Sequence, residues 1–161
     1  MNGKIGKKHR DARRSTERLA SCSLTWAGPN YARIAPGSYQ AVCVGVQGPE
    51  YVWAYQRHAL RLEFALLDGE TLVSMFLNMG KGERPPGRRS RFFKVWAMAN
   101  GGPPLKGQQM TVATFTEAGL LYTLRIDDCD RDADDPSKVK PDALIYSRVS
   151  DVLSVVRAQM R

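Results

Sequence analysis

The fold turns on the stretch Tyr51–Glu70, YVWAYQRHALRLEFALLDGE. From His58 onward the even positions are apolar: Leu60, Leu62, Phe64 and Leu66. A period of two puts them on one face of a β-strand, and an apolar face turns to a core. The odd positions point the other way. Tyr51, Trp53, Tyr55, Arg57, Ala59, Arg61 and Glu63 therefore stand on the outer face, or in the loop that leads onto it. Asp68-Gly69 then signals a tight hairpin. A third strand follows near Thr71–Met79, with Val73, Met75 and Leu77 alternating. Its other face carries Leu72, Ser74 and Phe76, so alternation alone does not orient it.

Upstream, APGSY reads as a turn into a strand over Tyr39–Val46. Val42, Val44 and Val46 share one face; Tyr39, Ala41, Cys43 and Gly45 share the other. Downstream, GKGERPPGRRSR is a basic loop, and Ser90 is positioned to cap a helix. Phe92, Val95, Trp96 and Ala99 recur at helical spacing, and Asn100-Gly101-Gly102-Pro103 ends the helix. A short strand is expected at Thr111–Phe115 and a fourth main strand through Leu120, Tyr122, Leu124 and Ile126. The last element, Ile145–Val156, reads as a strand ending in a short helix.

The order strand, strand, strand, helix, strand, strand predicts a mostly β fold. The expected form is a five-stranded OB-fold-like barrel with one helix between strands 3 and 4. A different small barrel and an α+β sandwich share that order. The barrel is expected over residues 35–161, after a basic, flexible tail over residues 1–34. The tail has few large apolar residues and cannot bury enough surface to offset its ordering entropy. It reads either as a solubilising arm or as a segment that becomes helical on a polyanion.

The chain of 161 residues suits one domain. No apolar run approaches the roughly 20 residues of a membrane span, and no secretory signal is read, so the expected location is cytoplasmic. The three cysteines, Cys22, Cys43 and Cys129, lie far apart, and the histidines are His9 and His58. That set predicts reduced thiols, no structural metal and no cofactor. The net charge is +8, a field that attracts polyanions.

Motifs for catalysis are sparse. No Gly-x-Ser-x-Gly or His-Glu-x-x-His occurs, and GKGERPPGRRS lacks the ending of a phosphate-binding loop. Asp128, Asp130, Asp132 and Asp134 alternate as in a calcium loop. The glycine and glutamate such a loop needs are missing, so Asp127–Asp135 reads as a solvated loop that could pair with the basic tail. His58 is expected to turn inward at the barrel end. The chain is therefore expected not to be an enzyme.

What remains is an aromatic and basic constellation. Tyr51, Trp53, Tyr55, Arg57 and Arg61 form one stripe; Lys81, Arg84, Arg88, Arg89, Arg91 and Lys94 cluster at the loop and helix start. Bases stack on aromatic faces and cations hold phosphates. The expected nucleic-acid-binding residues are Tyr51, Trp53, Tyr55, Arg57, Arg61, Arg88, Arg89, Arg91 and Lys94, with single strands favoured. The alternative is a protein interface, in a subunit or inhibitor of a nucleoprotein complex of defence or anti-defence type, where Tyr, Trp and Arg also dominate.

GSYQAVCVGV, LRLEFALLDGETL, SRFFKVWAMANG and YSRVSDVL together resemble a group of small bacterial proteins of plasmids, phages and integrated elements, over residues 35–156. The Gly-x-Tyr first strand and Asp-Gly hairpin are similar to those of phage single-stranded-DNA-binding proteins. The resemblance implies an OB-like barrel and a mobile-element setting, and it transfers no catalytic residue.

Overall fold

Leu60, Leu62, Phe64 and Leu66 are all buried, and the residues between them are partly exposed, as the alternation requires. The computed structural model describes residues 31–81 and 86–158. The expectations for residues 1–30, including Cys22 and His9, and for Arg84 lie outside the described residues.

The strands are β1 (Gly37–Val52), β2 (Arg57–Leu66), β3 (Leu72–Gly80), β4 (Leu120–Cys129) and β5 (Tyr146–Arg157), with helix α1 (Arg91–Asn100) between β3 and β4. They form one antiparallel sheet in the order β3-β2-β1-β4-β5. β3 and β5 are its edges, and no ladder joins them, so the sheet is open along that seam. Among the described residues no helix is long and apolar enough to cross a membrane.

β1 is long because two irregularities bend it between its partners. Its first part pairs with β4 and its later part with β2; Ala41 pairs with both Tyr122 and Leu66. Val44 has no partner in β2, and neither has Gly48-Pro49. The first bulge explains a difference from the expected alternation. Ala41 and Cys43 are buried, Val42 and Val44 are exposed, and past the bulge Val46 packs against the core. Period two thus breaks inside the strand, as an inserted residue demands. Gly48 has φ +92°, and a Cβ there would lie 2.7 Å from Glu50 N and 2.9 Å from Ala59 O. Only glycine allows the two strands so close at this point.

α1 forms as its sequence dictates. Ser90 Oγ accepts from Phe93 N at 3.1 Å, and Gly101 closes the helix in the left-handed region at φ 80°. Phe92, Val95, Trp96 and Ala99 are buried in the core shared with the sheet. Each such large side chain contributes about 1.5–3 kcal/mol of apolar burial.

Two expected elements differ. Thr111–Phe115 is not a strand: Val112–Thr116 is a 3-10 turn. The Trp96 indole donates to Thr111 O at 2.9 Å and the Tyr122 hydroxyl to Phe115 O at 2.7 Å, so side chains use carbonyls that a ladder would need. The C-terminal element does not end in a helix, since β5 is strand throughout. Ser150 and Leu153 have no partners in β4. The bulge at Ser150 puts the buried Val149 and Val152 three residues apart, a spacing that imitates a helix.

Candidate functional site

A cleft of about 660 Å³ opens at the seam between β3 and β5. Its floor comes from the outer face of β2 and β3: Arg57, Ala59, Ser74, Phe76 and Asn78. One wall is the β1–β2 reversal, with Val52 and Tyr55. The other is the β4–β5 connection, with Asp130, Arg131, Asp132 and Lys140, followed by Tyr146 and Arg148 of β5. Arg91 at the start of α1 and Tyr31 complete it.

The reversal positions the first wall. β1 ends at Val52, a 3-10 turn covers Trp53–Tyr55, and Gln56 closes it in the left-handed region at φ 48°. The turn interrupts the expected odd-numbered stripe. Val52 pairs with Arg57, and Tyr51 pairs with His58. Directly opposed residues share a face, so Tyr51 and His58 lie on the side of the buried Leu60. Their rings meet edge-on at 5.2 Å, and Trp53 packs edge-on against Tyr51 at 4.8 Å. Trp53 stays 82% exposed. His58 is half-buried. Tyr55 and Arg57 instead line the cleft, and the Arg57 guanidinium sits 5.1 Å from the Tyr55 ring centre.

Of the nine expected binding residues, the structure therefore brings Tyr55, Arg57 and Arg91 together in the cleft. Tyr51 and Trp53 form a separate exposed cluster with His58. Arg61 lies beside the cleft floor but is held by its neighbours. It donates to Ser74 Oγ at 3.1 Å, pairs with Glu63 at 3.0 Å and lies over the Phe76 ring. Arg88, Arg89 and Lys94 are exposed around the start of α1 and do not line the cleft, and Lys81 is exposed at the end of β3.

The cleft also contains residues that the sequence reading missed: Tyr31, Phe76, Arg131, Lys140, Tyr146 and Arg148. Tyr31 stacks on Tyr146 with ring centres 4.6 Å apart. Lys140 Nζ lies 4.5 Å from the same Tyr146 ring centre, and donates to Cys129 O at 3.2 Å and Sγ at 3.4 Å. Burial, followed by hydrogen bonding to Cys129, pushes the Tyr146 phenol up to about 12.

The acidic segment is partly ordered. β4 runs on through Asp127 and Asp128, and beyond it Arg131 bridges to Val139. Asp132 Oδ1 accepts from Asp134 N, and Asp135 Oδ1 accepts from Ser137 N and Oγ. Those bonds hold the Asp135 carboxyl below the usual carboxylate range. Among the described residues no three His, Cys, Asp or Glu side chains gather as a metal site. Residues 31–34, counted with the basic tail in the sequence, run beside the start of β5. There Arg33 pairs with Asp142 at 2.8 Å and Asp128 at 3.6 Å.

The cleft thus sets aromatic rings beside exposed cations. Arg57, Arg91 and Arg148 have no acidic partner within ion-pair distance among the described residues, whereas Arg131 approaches Asp130 at 3.9 Å. Comparison with family models, with curated proteins and with solved structures finds no match to the chain, so its own geometry carries the functional argument.

Proposed function

We propose that the chain is a non-enzymatic nucleic-acid-binding protein that takes single strands in the cleft at the β3–β5 seam. The carrying observation is the coincidence, in one groove, of Tyr55 and Phe76 with Arg57, Arg91 and Arg148. Aromatic faces stack unpaired bases, and the cations hold the backbone. We read the sheet as OB-like: the helix follows the third strand, and the order β3-β2-β1-β4-β5 leaves the third and fifth strands to meet. The groove lies on the β2–β3 face between the β1–β2 and β4–β5 connections, where OB-folds take oligonucleotides. The +8 charge and the resemblance to phage single-strand binders fit a mobile-element setting in the cytoplasm.

The test is fluorescence anisotropy with single-stranded DNA, single-stranded RNA and duplex DNA across a salt series. Three phosphate contacts give a log–log salt slope near −2, about a twentyfold loss from 50 to 200 mM salt. Tyr55→Ala weakens single-strand binding by roughly 1–3 kcal/mol and leaves the slope. Arg57→Gln and Arg148→Gln each flatten the slope by about 0.7. Absent single-strand binding, or binding indifferent to all three substitutions, defeats the proposal.

A second reading is favoured by Trp53, exposed on Tyr51 and away from the cleft. In that reading the cluster is a protein-partner hot spot, and Trp53→Ala abolishes a partner complex while oligonucleotide binding persists.

A further inference from the structure

The Tyr146 ring has two close neighbours: Tyr31 stacks on it at 4.6 Å, and Lys140 Nζ stands 4.5 Å from its centre. Tyr31 itself is 44% exposed and lines the cleft. The strap that carries it is firmly tied. Ser147 N donates to Ala32 O at 2.9 Å, Ile34 N donates to Ser147 Oγ at 2.8 Å, and Ser147 Oγ donates to Ile34 O at 3.1 Å. Arg33 adds the ion pairs with Asp142 and Asp128. Peeling the strap away would break these contacts to free one ring face, more than one stacked base returns.

We infer that Tyr31 is a base-stacking plate of the cleft: an unpaired nucleobase lies against its exposed face and extends the Tyr146–Tyr31 stack. This deepens the nucleic-acid reading above and rests on it. Tyr146 is then a positioning residue, and the strap fixes the plate before the ligand arrives. A preformed plate needs little ordering on binding. A base in a duplex cannot reach it, so the plate also favours single strands.

The probe is a single-stranded oligonucleotide carrying 2-aminopurine at successive positions, titrated with the full chain and with Tyr31→Ala and Tyr31→Trp. The expected result is a loss of affinity on the order of tenfold for Tyr31→Ala. The emission change at one probe position disappears with it, and Tyr31→Trp retains both. Circular dichroism and thermal melts establish that each variant is folded. Tighter binding by Tyr31→Ala overturns the inference, because the strap is then a lid over Tyr146. Unchanged affinity and emission in Tyr31→Ala overturn it too. Should the wild-type chain bind no oligonucleotide at all, the underlying reading of the cleft fails instead. Wild-type binding that is lost in Tyr55→Ala but untouched in Tyr31→Ala defeats only the plate.

Discussion

Replacing Tyr122 by Phe removes one oxygen from the centre of the core, and its effect should change with pH. Tyr122 has no accessible surface, and its hydroxyl donates to Phe115 O at 2.7 Å. Deleting the donor strands a carbonyl in the 3-10 turn that packs beside α1. An orphaned buried acceptor costs about 1–3 kcal/mol, and that is the expected destabilisation at pH 7. Burial also pushes the Tyr122 phenol far above its ordinary 10.0. In the unfolded chain the phenol loses its proton near pH 10; in the folded chain it keeps it. The folded state therefore binds more protons above pH 10, and wild-type stability falls as pH rises. At pH 11 the Tyr122 contribution to that fall reaches at most about 1.4 kcal/mol. The variant lacks it, so the gap between the two proteins narrows at pH 11 by up to that amount. Urea titrations followed by tryptophan fluorescence at pH 7 and 11 measure both gaps. A cost below about 0.5 kcal/mol at pH 7, or a gap that does not narrow, would refute the reasoning.

Three more outcomes follow from the same structure. Gly48→Ala forces a Cβ against Glu50 N and Ala59 O at a positive φ, and should cost about 1–3 kcal/mol, read as a lower urea midpoint with unchanged m. Gln56→Gly relieves the left-handed strain at the β1–β2 reversal and should stabilise by about 1 kcal/mol in thermal melts; a neutral or lower Tm contradicts this. Burial holds the Cys43 thiol up to about 11 against an ordinary 9.0, so stability should begin to decline above pH 9, where only the unfolded chain ionises. In Cys43→Ala the decline of the midpoint between pH 9 and 10 should be shallower than in the wild type, with only the part that the raised Tyr122 and Tyr146 phenols contribute remaining.

Much of the sheet was legible because most strands keep one period. The Leu60–Leu66 alternation and the Leu120–Ile126 alternation each give a buried face, and α1 buries the four residues its spacing selects. β3 could also have been oriented. A two-residue turn at Asp68-Gly69 sets Val73 opposite Phe64 and Phe76 opposite Arg61, the observed register. What failed was local. The bulges at Val44, Ser150 and Leu153 shift the period, and nothing in their residue types announces an inserted position. At the site, Tyr55, Arg57 and Arg91 were legible from charge and aromatic spacing. The parity of Tyr51 was not, because Gln56 turns the chain over within the apparent stripe. Tyr31 is far in sequence from Lys140 and Tyr146, and only the strap along β5 brings it beside them.

The bond from Ser147 N to Ala32 O has a consequence for handling this protein. β5 is an edge strand, and an uncovered edge offers a template on which another chain can add. Residues 31–34 shield the beginning of that edge. Trimming the chain back to Ala35 would strip the shield, together with Ile34, which packs against the core, and light scattering should then rise with concentration. Trimming only to Tyr31 should not raise it.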